Sequence, residues 1–396
     1  MAVLRVLTFT SLFPSEARPR HGIFVENRLA HLVRDCDVDA RVVAPVPWFP
    51  FRAAMFGSYA SFAATPRRAV RGNGLQVSYP RYLMLPKLGV ASQPDNMASA
   101  AMGDIRALID GGWKPDLIDA HYLYPDCVAA AALARELGLP FVMTARGTDV
   151  NVLAHMSGPG RRIIAAARQA AAVIAVSSRL REQLVALGVE AGKVIVLRNG
   201  VDLEVFRTED RSGARAALGL AQPGRLAACV GNLVPEKGQA LAIEMLAQMP
   251  DLRLVIVGDG PLRRELGERA THLGVADRVE FRAVMPQREL GRLYSAADVL
   301  LLTSEREGWP NVVLEAMASG TPVVGFDVGA VGEMIVDEAV GRIVATRNAV
   351  SLGAAVAQVL AMPLRREVIR RHASEFDWSS VSQGQWVAFQ RATASH

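Results

Sequence analysis

Cysteine is scarce in this 396-residue chain, and the three present, Cys36, Cys127 and Cys229, are too widely spaced for a disulfide framework or a zinc site. A reducing cytoplasm is therefore the expected compartment. No uninterrupted apolar run reaches the length needed to span a bilayer. The opening MAVLRVLTFTSLFPSE lacks a small-residue cleavage site and is expected to form a first strand rather than a signal peptide. Polar low-complexity tracts are also missing, which, with 51% hydrophobic and 21% charged residues, excludes a disordered chain. The formal charge of +5 is spread over scattered arginines, with no dense basic helix and no aromatic RNA-binding signature. Nucleotides or an acidic lipid surface suit that charge better than nucleic acid. No metal-ligand cluster stands out: Asp35, Asp37 and Asp39 in DCDVDA imitate a metal-binding DxD but fall at the amino end of a strand, where a solvated turn is expected. Finally, VIVGDGPL at 255–262 turns from strand to helix through close-approach glycines, Gly258 among them, without the GxGxxG of a dinucleotide site.

What is present is an alternation. At this length two domains are expected, and short apolar or β-branched runs alternate with helical patterns, the signature of parallel α/β sheets. Strands are predicted at 4–9, 40–44, 75–78, 116–120, 141–144, 173–176 and 194–197, then at 226–230, 252–257, 279–282, 298–302 and 322–325. The texture between them becomes polar and broken by Gly and Pro at 201–224, read as a linker. The fold expected is α/β, with two Rossmann-like doubly wound domains facing a cleft, at 1–200 and 225–377. A terminal helix at 378–396 is expected to return to the first domain. One segment, 48–71, breaks the alternation: Trp48, Phe49, Phe51, Phe56, Tyr59 and Phe62 are mixed with Arg52, Arg67, Arg68 and Arg71. It reads equally as a peripheral membrane contact and as a core-packing loop with solvated arginines.

Ligands of open α/β sheets sit beyond the carboxyl ends of strands, where amides at the next helix N-terminus bind anions. Residues 303–324, TSEREGWPNVVLEAMASGTPVV, offer such a place after a strand. With a helix starting near Asn311, the amides of Val312 and Val313 are predicted to face a phosphate, behind a loop through Gly308, Trp309 and Pro310. Glu307 and Glu315 accept hydrogen bonds only, which suits vicinal diols, and two diols flanking a diphosphate describe a nucleotide sugar. Surface positions explain both glutamates as well. In GNLVPEKG, Asn232 and Lys237 follow a strand and open a helix, with Lys237 placed to offset diphosphate charge or simply solvated. Gly22, on the loop after strand one, admits phosphate or is an ordinary turn glycine. His121 closes the strand DLIDA at its carboxyl end, and Arg146, Thr148 and Asp149 follow the next strand, lining the same cleft or forming an internal ion pair.

These motifs resemble the retaining glycosyltransferases of family four, whose two Rossmann-like domains adopt the arrangement called GT-B. The likeness runs over nearly the whole chain, through Gly22, His121, NGVD at 199–202, GNLVPEKG, VGDGPL and, most specifically, EGWPNVVLEAMASGTPVV with its glutamates separated by seven residues. The segments GIFV, AHYLYPDC and TARGTD resemble bacterial enzymes that build lipid-linked surface polysaccharides. The resemblance implies sugar transfer from a nucleotide diphosphate sugar, UDP favoured and GDP possible, to a lipid-linked glycan acceptor, with no cofactor and no metal. It implies catalytic roles for His121, Glu307 and Lys237: His121 at a donor hydroxyl near the reacting carbon, Glu307 on sugar hydroxyls, Lys237 on the diphosphate. Glu315 would hold the ribose, Gly22 the phosphate, and the backbone around Met285 the base. Asn232 departs from the pattern, many members having arginine there, and Arg146 replaces a common histidine; we conjecture that Arg146 restores the missing charge. A sugar nucleotide epimerase or hydrolase of the same fold, or a non-catalytic scaffold, are the alternative readings.

Overall fold

The computed structural model describes residues 3–84, 89–363 and 365–394. Contacts divide the chain into two compact units, residues 1–199 with 378–396, and residues 200–377. In the first unit, the strands in chain order are β1 (Leu4–Phe9), β2 (Val38–Val43), β3 (Val46–Pro47), β4 (Arg68–Val70), β5 (Gln76–Ser78), β6 (Arg81–Tyr82), β7 (Leu117–His121), β8 (Phe141–Ala145), β9 (Ala172–Ala175) and β10 (Val194–Val196). Among the described residues, eight of them join in the order β10-β9-β8-β7-β1-β2-β5-β4, while β3 and β6 form a separate parallel pair. The eight-stranded sheet is parallel except for β4, which runs antiparallel on its edge. Helices cover the sheet, so its central strands are apolar on both faces, as in Leu117, Ile118, Val142 and Met143, all fully buried.

The second unit holds β11 (Arg225–Val230), β12 (Leu252–Val257), β13 (Val279–Arg282), β14 (Val299–Leu302), β15 (Val323–Phe326) and β16 (Gly341–Val344) in the all-parallel order β13-β12-β11-β14-β15-β16. Its core joins Leu254, Ile256, Leu301 and Phe326 from the strands to Ile243, Leu246, Leu352 and Val356 from the helices. From the second unit's first strand the chain winds outward twice, first through β12 and β13, then back beside β11 through β14 to β16. The first unit turns similarly between β1 and β7. The winding reverses at these two points, between β11 and β14 and between β1 and β7. In doubly wound sheets, loops diverge at such points and leave a crevice at the carboxyl ends of the strands.

The expected strands all lie within two residues of observed ones. Those the pattern missed are edges or very short: β4, β16, which opens on Gly341 and has two β-branched residues, and the two-residue β3 and β6. Where a linker was expected over 201–224, the chain is structured as part of the second unit. Arg370 donates to the carbonyls of Leu203 (2.9 Å) and Phe206 (2.7 Å). Arg215, in the helix Arg211–Ala217, pairs with Asp298 at 2.8 Å. Backbone carbonyls bonded to the half-buried Arg370 and the buried Arg215 replace the apolar contacts whose absence suggested a linker. The helix Trp378–Ala394 packs on the helix Ile23–Asp35 of the first unit. Asp39, of the DxD look-alike, accepts from Trp113 Nε1 at 2.7 Å and faces Arg41 at 3.3 Å.

Residues 48–71 divide between the two readings. Phe62 packs on the core, and Arg71 turns inward onto Glu26 with bonds of 2.7 and 3.1 Å. Phe49 touches Phe51, Phe56 and Tyr59 in a small aromatic cluster. Beside it Trp48, Phe51 and Met55 are 52%, 55% and 86% exposed, and Arg52, Arg67 and Arg68 are exposed as well. Among the described residues no helix is long and apolar enough to cross a membrane.

Candidate active site

The reversal point of the second unit gathers most of the residues singled out from sequence. Beyond β11, Gly231 turns the chain into a single 3-10 turn, Pro235–Lys237, and Gly238 (φ 64°) opens the helix Gln239–Leu246. Beyond β14, Thr303 binds across to it, its hydroxyl donating to the Lys237 carbonyl at 2.8 Å. Lys237 Nζ meets Glu307 Oε1 at 2.6 Å, so this cation and carboxylate are held against each other. Two glycines permit the crowding. A Cβ on Gly258 would lie 2.0 Å from the Gly231 carbonyl oxygen, and one on Gly329 would lie 2.3 Å from that of Glu307. No larger residue fits either position without moving backbone.

The helix Asn311–Ala318 starts where expected, after the buried Trp309 and with Pro310 as its N-terminal boundary. Its amides differ from the expectation in one respect. The Val313 N–H donates to the Pro310 carbonyl at 3.0 Å and is spent inside the turn, whereas the Val312 N–H has no acceptor among the described residues. Glu315, one turn in, accepts from the Tyr294 hydroxyl at 3.0 Å. Asn232 is exposed and contributes its carbonyl to Gln239 Nε2 at 2.9 Å. Met285 is buried at the start of the helix Gln287–Ala296.

In the first unit, Gly22 (φ 72°) caps the helix Ile23–Asp35 in the left-handed conformation, pressed against the Leu12 carbonyl on the loop after β1. His121 ends β7 and is 1% exposed. It belongs to a closed ring of six side chains. Arg146 Nη2 lies 2.6 Å from His121 Nδ1, and His121 Nε2 lies 3.0 Å from Asp119 Oδ2. Gln385 donates to that same carboxylate oxygen (3.1 Å) and accepts from Arg28 Nε (2.7 Å). Both arginines then donate to Asn199 Oδ1, at 3.4 Å from Arg28 and 3.1 Å from Arg146.

A guanidinium only donates, so His121 Nδ1 accepts and the ring proton sits on Nε2, facing Asp119. Burial, against the pull of Asp119, lowers the His121 pKa to about 4. The imidazole is therefore neutral at ordinary pH, with both nitrogens engaged. Burial and the second guanidinium lower Arg146 to about 9. Asp149 is spent on backbone, accepting from the amides of Gly147 (2.7 Å) and Leu123 (2.9 Å), rather than pairing with an arginine side chain.

Sequence reading passed over Arg28, Asp119 and Gln385. A signal for two of them was present. Arg28 stands on the stripe Val25, Leu29, Leu32 that the first helix buries, and Gln385 stands between Val381 and Phe389 on the buried stripe of the last helix. A polar residue on an apolar stripe needs a buried partner. Among the described residues no group of three or more His, Cys, Asp or Glu is placed to hold a metal ion.

Two family models match the chain: Glycosyltransferase Family 4 over residues 79–205 and Glycosyl transferases group 1 over residues 210–376. The chain is 32% identical over 338 residues to TuaC of Bacillus subtilis (strain 168), a glycosyltransferase named for teichuronic acid biosynthesis, covering 84% of this chain and 83% of that protein. It is 35% identical to a D-inositol 3-phosphate glycosyltransferase of Acidothermus cellulolyticus, covering 72% and 69%. Among solved structures it has the fold of sucrose-phosphate synthase from Thermosynechococcus elongatus (TM-score 0.80, 19% identity, 99% of both chains). It also shares that of Anabaena HepE, solved with UDP-glucose (TM-score 0.72, 22% identity, 96% and 97%).

Proposed function

This chain belongs to glycosyltransferase family 4, and on that premise we propose that it transfers a sugar, with retention, from a nucleotide diphosphate sugar to a glycan acceptor carried on a lipid. The observation that carries the donor class is the reversal point between β11 and β14. Lys237, the Val312 amide and two carboxylates with different partners, Glu307 and Glu315, stand there at the carboxyl edge of one sheet. A cation and an amide suit phosphate, and carboxylates suit diols. HepE, whose solved complexes contain UDP and UDP-glucose, supports UDP as the first nucleotide to try. The polysaccharide setting rests on TuaC.

In this reading the bond between the sugar's anomeric carbon and the diphosphate breaks as the acceptor oxygen bonds that carbon from the same face. The acceptor proton passes to the departing phosphate oxygen, so no carboxylate nucleophile is needed. Positive charge and fixed dipoles stabilise the leaving group, and Lys237 exchanges Glu307 for phosphate when donor arrives. Glu307 is thereby released to accept from sugar hydroxyls, while Glu315 holds the ribose. His121 Nδ1 can accept from a hydroxyl only after Arg146 gives it up, which makes Arg146 the gate to that nitrogen. Residues 48–71, with their exposed aromatics and arginines, rest on the acidic cytoplasmic membrane surface from which the acceptor is drawn.

A panel of UDP, GDP and ADP sugars tests the donor reading by thermal shift, because a ligand of the folded state raises its apparent stability. One nucleotide family is expected to stabilise the protein, followed by acceptor-dependent release of its diphosphate. No stabilisation by any of them would remove the reading, and release without acceptor would favour a hydrolase.

A further inference from the structure

Resting on the donor reading above, we propose that Arg347, a residue outside every motif considered so far, is a second cation for the donor diphosphate. It stands three residues beyond β16, at the same carboxyl edge of the sheet as Lys237. Its guanidinium lies over the ring of Phe326, 5.7 Å from the centroid, and Nη2 donates to the Thr303 carbonyl at 3.1 Å. The same Thr303 donates its hydroxyl to the Lys237 backbone carbonyl, so one residue holds the Arg347 guanidinium and the backbone that carries Lys237. The guanidinium also touches the turn that opens the helix Gln239–Leu246: a Cβ built on Gly238 would lie 2.5 Å from Arg347 Nη2. That Cβ would also lie 2.4 Å from the Thr303 carbonyl oxygen, so Gly238 is required by backbone contact and by its conformation, with the guanidinium packed beside it.

Charge separates the two cations. Lys237 is paired with Glu307 at 2.6 Å, whereas Arg347 has no carboxylate partner among the described residues, its contacts being a carbonyl and an aromatic ring. Arg306, on the neighbouring loop, is exposed and has no ion pair among the described residues. Arg347 is exposed yet anchored on two sides, and among the described residues its guanidinium makes one hydrogen bond, from Nη2. An oriented, unpaired guanidinium beside a lysine–glutamate pair is arranged to meet two phosphate oxygens at once, which an ammonium cannot do. A diphosphate engages both cations, and a monophosphate engages one.

Calorimetric titration of UDP against UMP, with GDP/GMP and ADP/AMP in parallel, tests this in wild type, Arg347→Gln, Arg347→Lys and Lys237→Ala. Arg347→Gln is expected to weaken the diphosphate about tenfold or more, as loss of a charge-assisted hydrogen bond does, and to leave the monophosphate within about twofold. Arg347→Lys is expected to fall between, since it keeps the charge and loses the fork. Diphosphate affinity unchanged in Arg347→Gln while Lys237→Ala weakens it overturns the assignment and leaves the donor reading standing. Equal weakening of both nucleotides also overturns it. A wild type that binds none of the diphosphates removes the donor reading, and this inference with it. Should Arg347→Gln not fold, the lysine variant decides, because unchanged selectivity there contradicts the two-oxygen contact.

Discussion

The helix-opening glycine at position 22 allows the backbone argument to be tested against a control inside the same unit. Gly22 and Gly138 have nearly the same backbone angle, φ 72° and 61°, one before a helix and one after. They differ in surroundings. A Cβ on Gly22 would lie 2.1 Å from the Leu12 carbonyl oxygen and 2.2 Å from its carbon, whereas one on Gly138 meets nothing within 4 Å. The left-handed conformation costs an alanine about 1–2 kcal/mol, partly offset by about 0.4–1 kcal/mol from the reduced freedom of the unfolded chain. Gly138→Ala should therefore destabilise by roughly 1 kcal/mol or less. Gly22→Ala carries the same term plus the overlap, and overpacking costs about 1–3 kcal/mol. The upper end applies, because the atoms struck are backbone and cannot rotate away. We expect Gly22→Ala to be the worse by about 3 kcal/mol, or about 6–12 °C in Tm for a unit of this size. Tryptophan fluorescence during urea unfolding is the assay, since Trp48, Trp113, Trp378 and Trp386 all lie in the first unit and only Trp309 lies in the second. Equal losses for the two variants would show that the loop after β1 yields freely, and would refute the close approach.

The remaining expectations concern charge and surface. Lys237→Ala should reduce kcat/KM by about 30-fold or more, corresponding to roughly 2–5 kcal/mol for leaving diphosphate charge unpaired when donor is bound, and transfer kinetics within threefold of wild type would refute its role. The buried ring predicts a pH dependence. Burial lowers His121 from 6.5 to about 4, so between those pH values the unfolded chain binds a proton that the native ring refuses, and stability falls as the solution is acidified. Relative to His121→Asn, wild type should lose up to about 3 kcal/mol between pH 6.5 and 4; a difference in unfolding free energy that stays flat with pH would contradict the buried neutral imidazole. The comparison with the variant is needed because burial raises Asp126 to about 7, which stabilises the fold as pH falls through the same range. Replacing Phe51, Phe56 and Arg67 together should weaken cosedimentation with anionic liposomes by tenfold or more, at about 1 kcal/mol for the charge and more for the apolar rings; unchanged binding would end the membrane reading.

Sequence pattern alone was enough to establish the alternating α/β class, the central strands of both sheets and the segments that end at their reversal points. These depend on local physics: a strand buried on both faces is mostly apolar, and a turn approaching other backbone closely must be glycine, as at Gly22 and Gly258. The family glutamates and Lys237 could be read in the same way, because residues at strand ends keep their place in the chain whatever surrounds them. Tertiary structure decided which groups are committed to each other. Lys237 is paired with Glu307 before any ligand arrives, Val313 spends its amide on Pro310, and His121 has both nitrogens occupied by residues 2 and 25 positions away. The six-membered ring joins residues from 28 to 385, and Arg347 reaches the crevice across 44 residues to Thr303. Hydrogen-bond partners are chosen by proximity in space, so no local pattern encodes them, and only the folded sheet brings Arg347 and Lys237 to the same threonine.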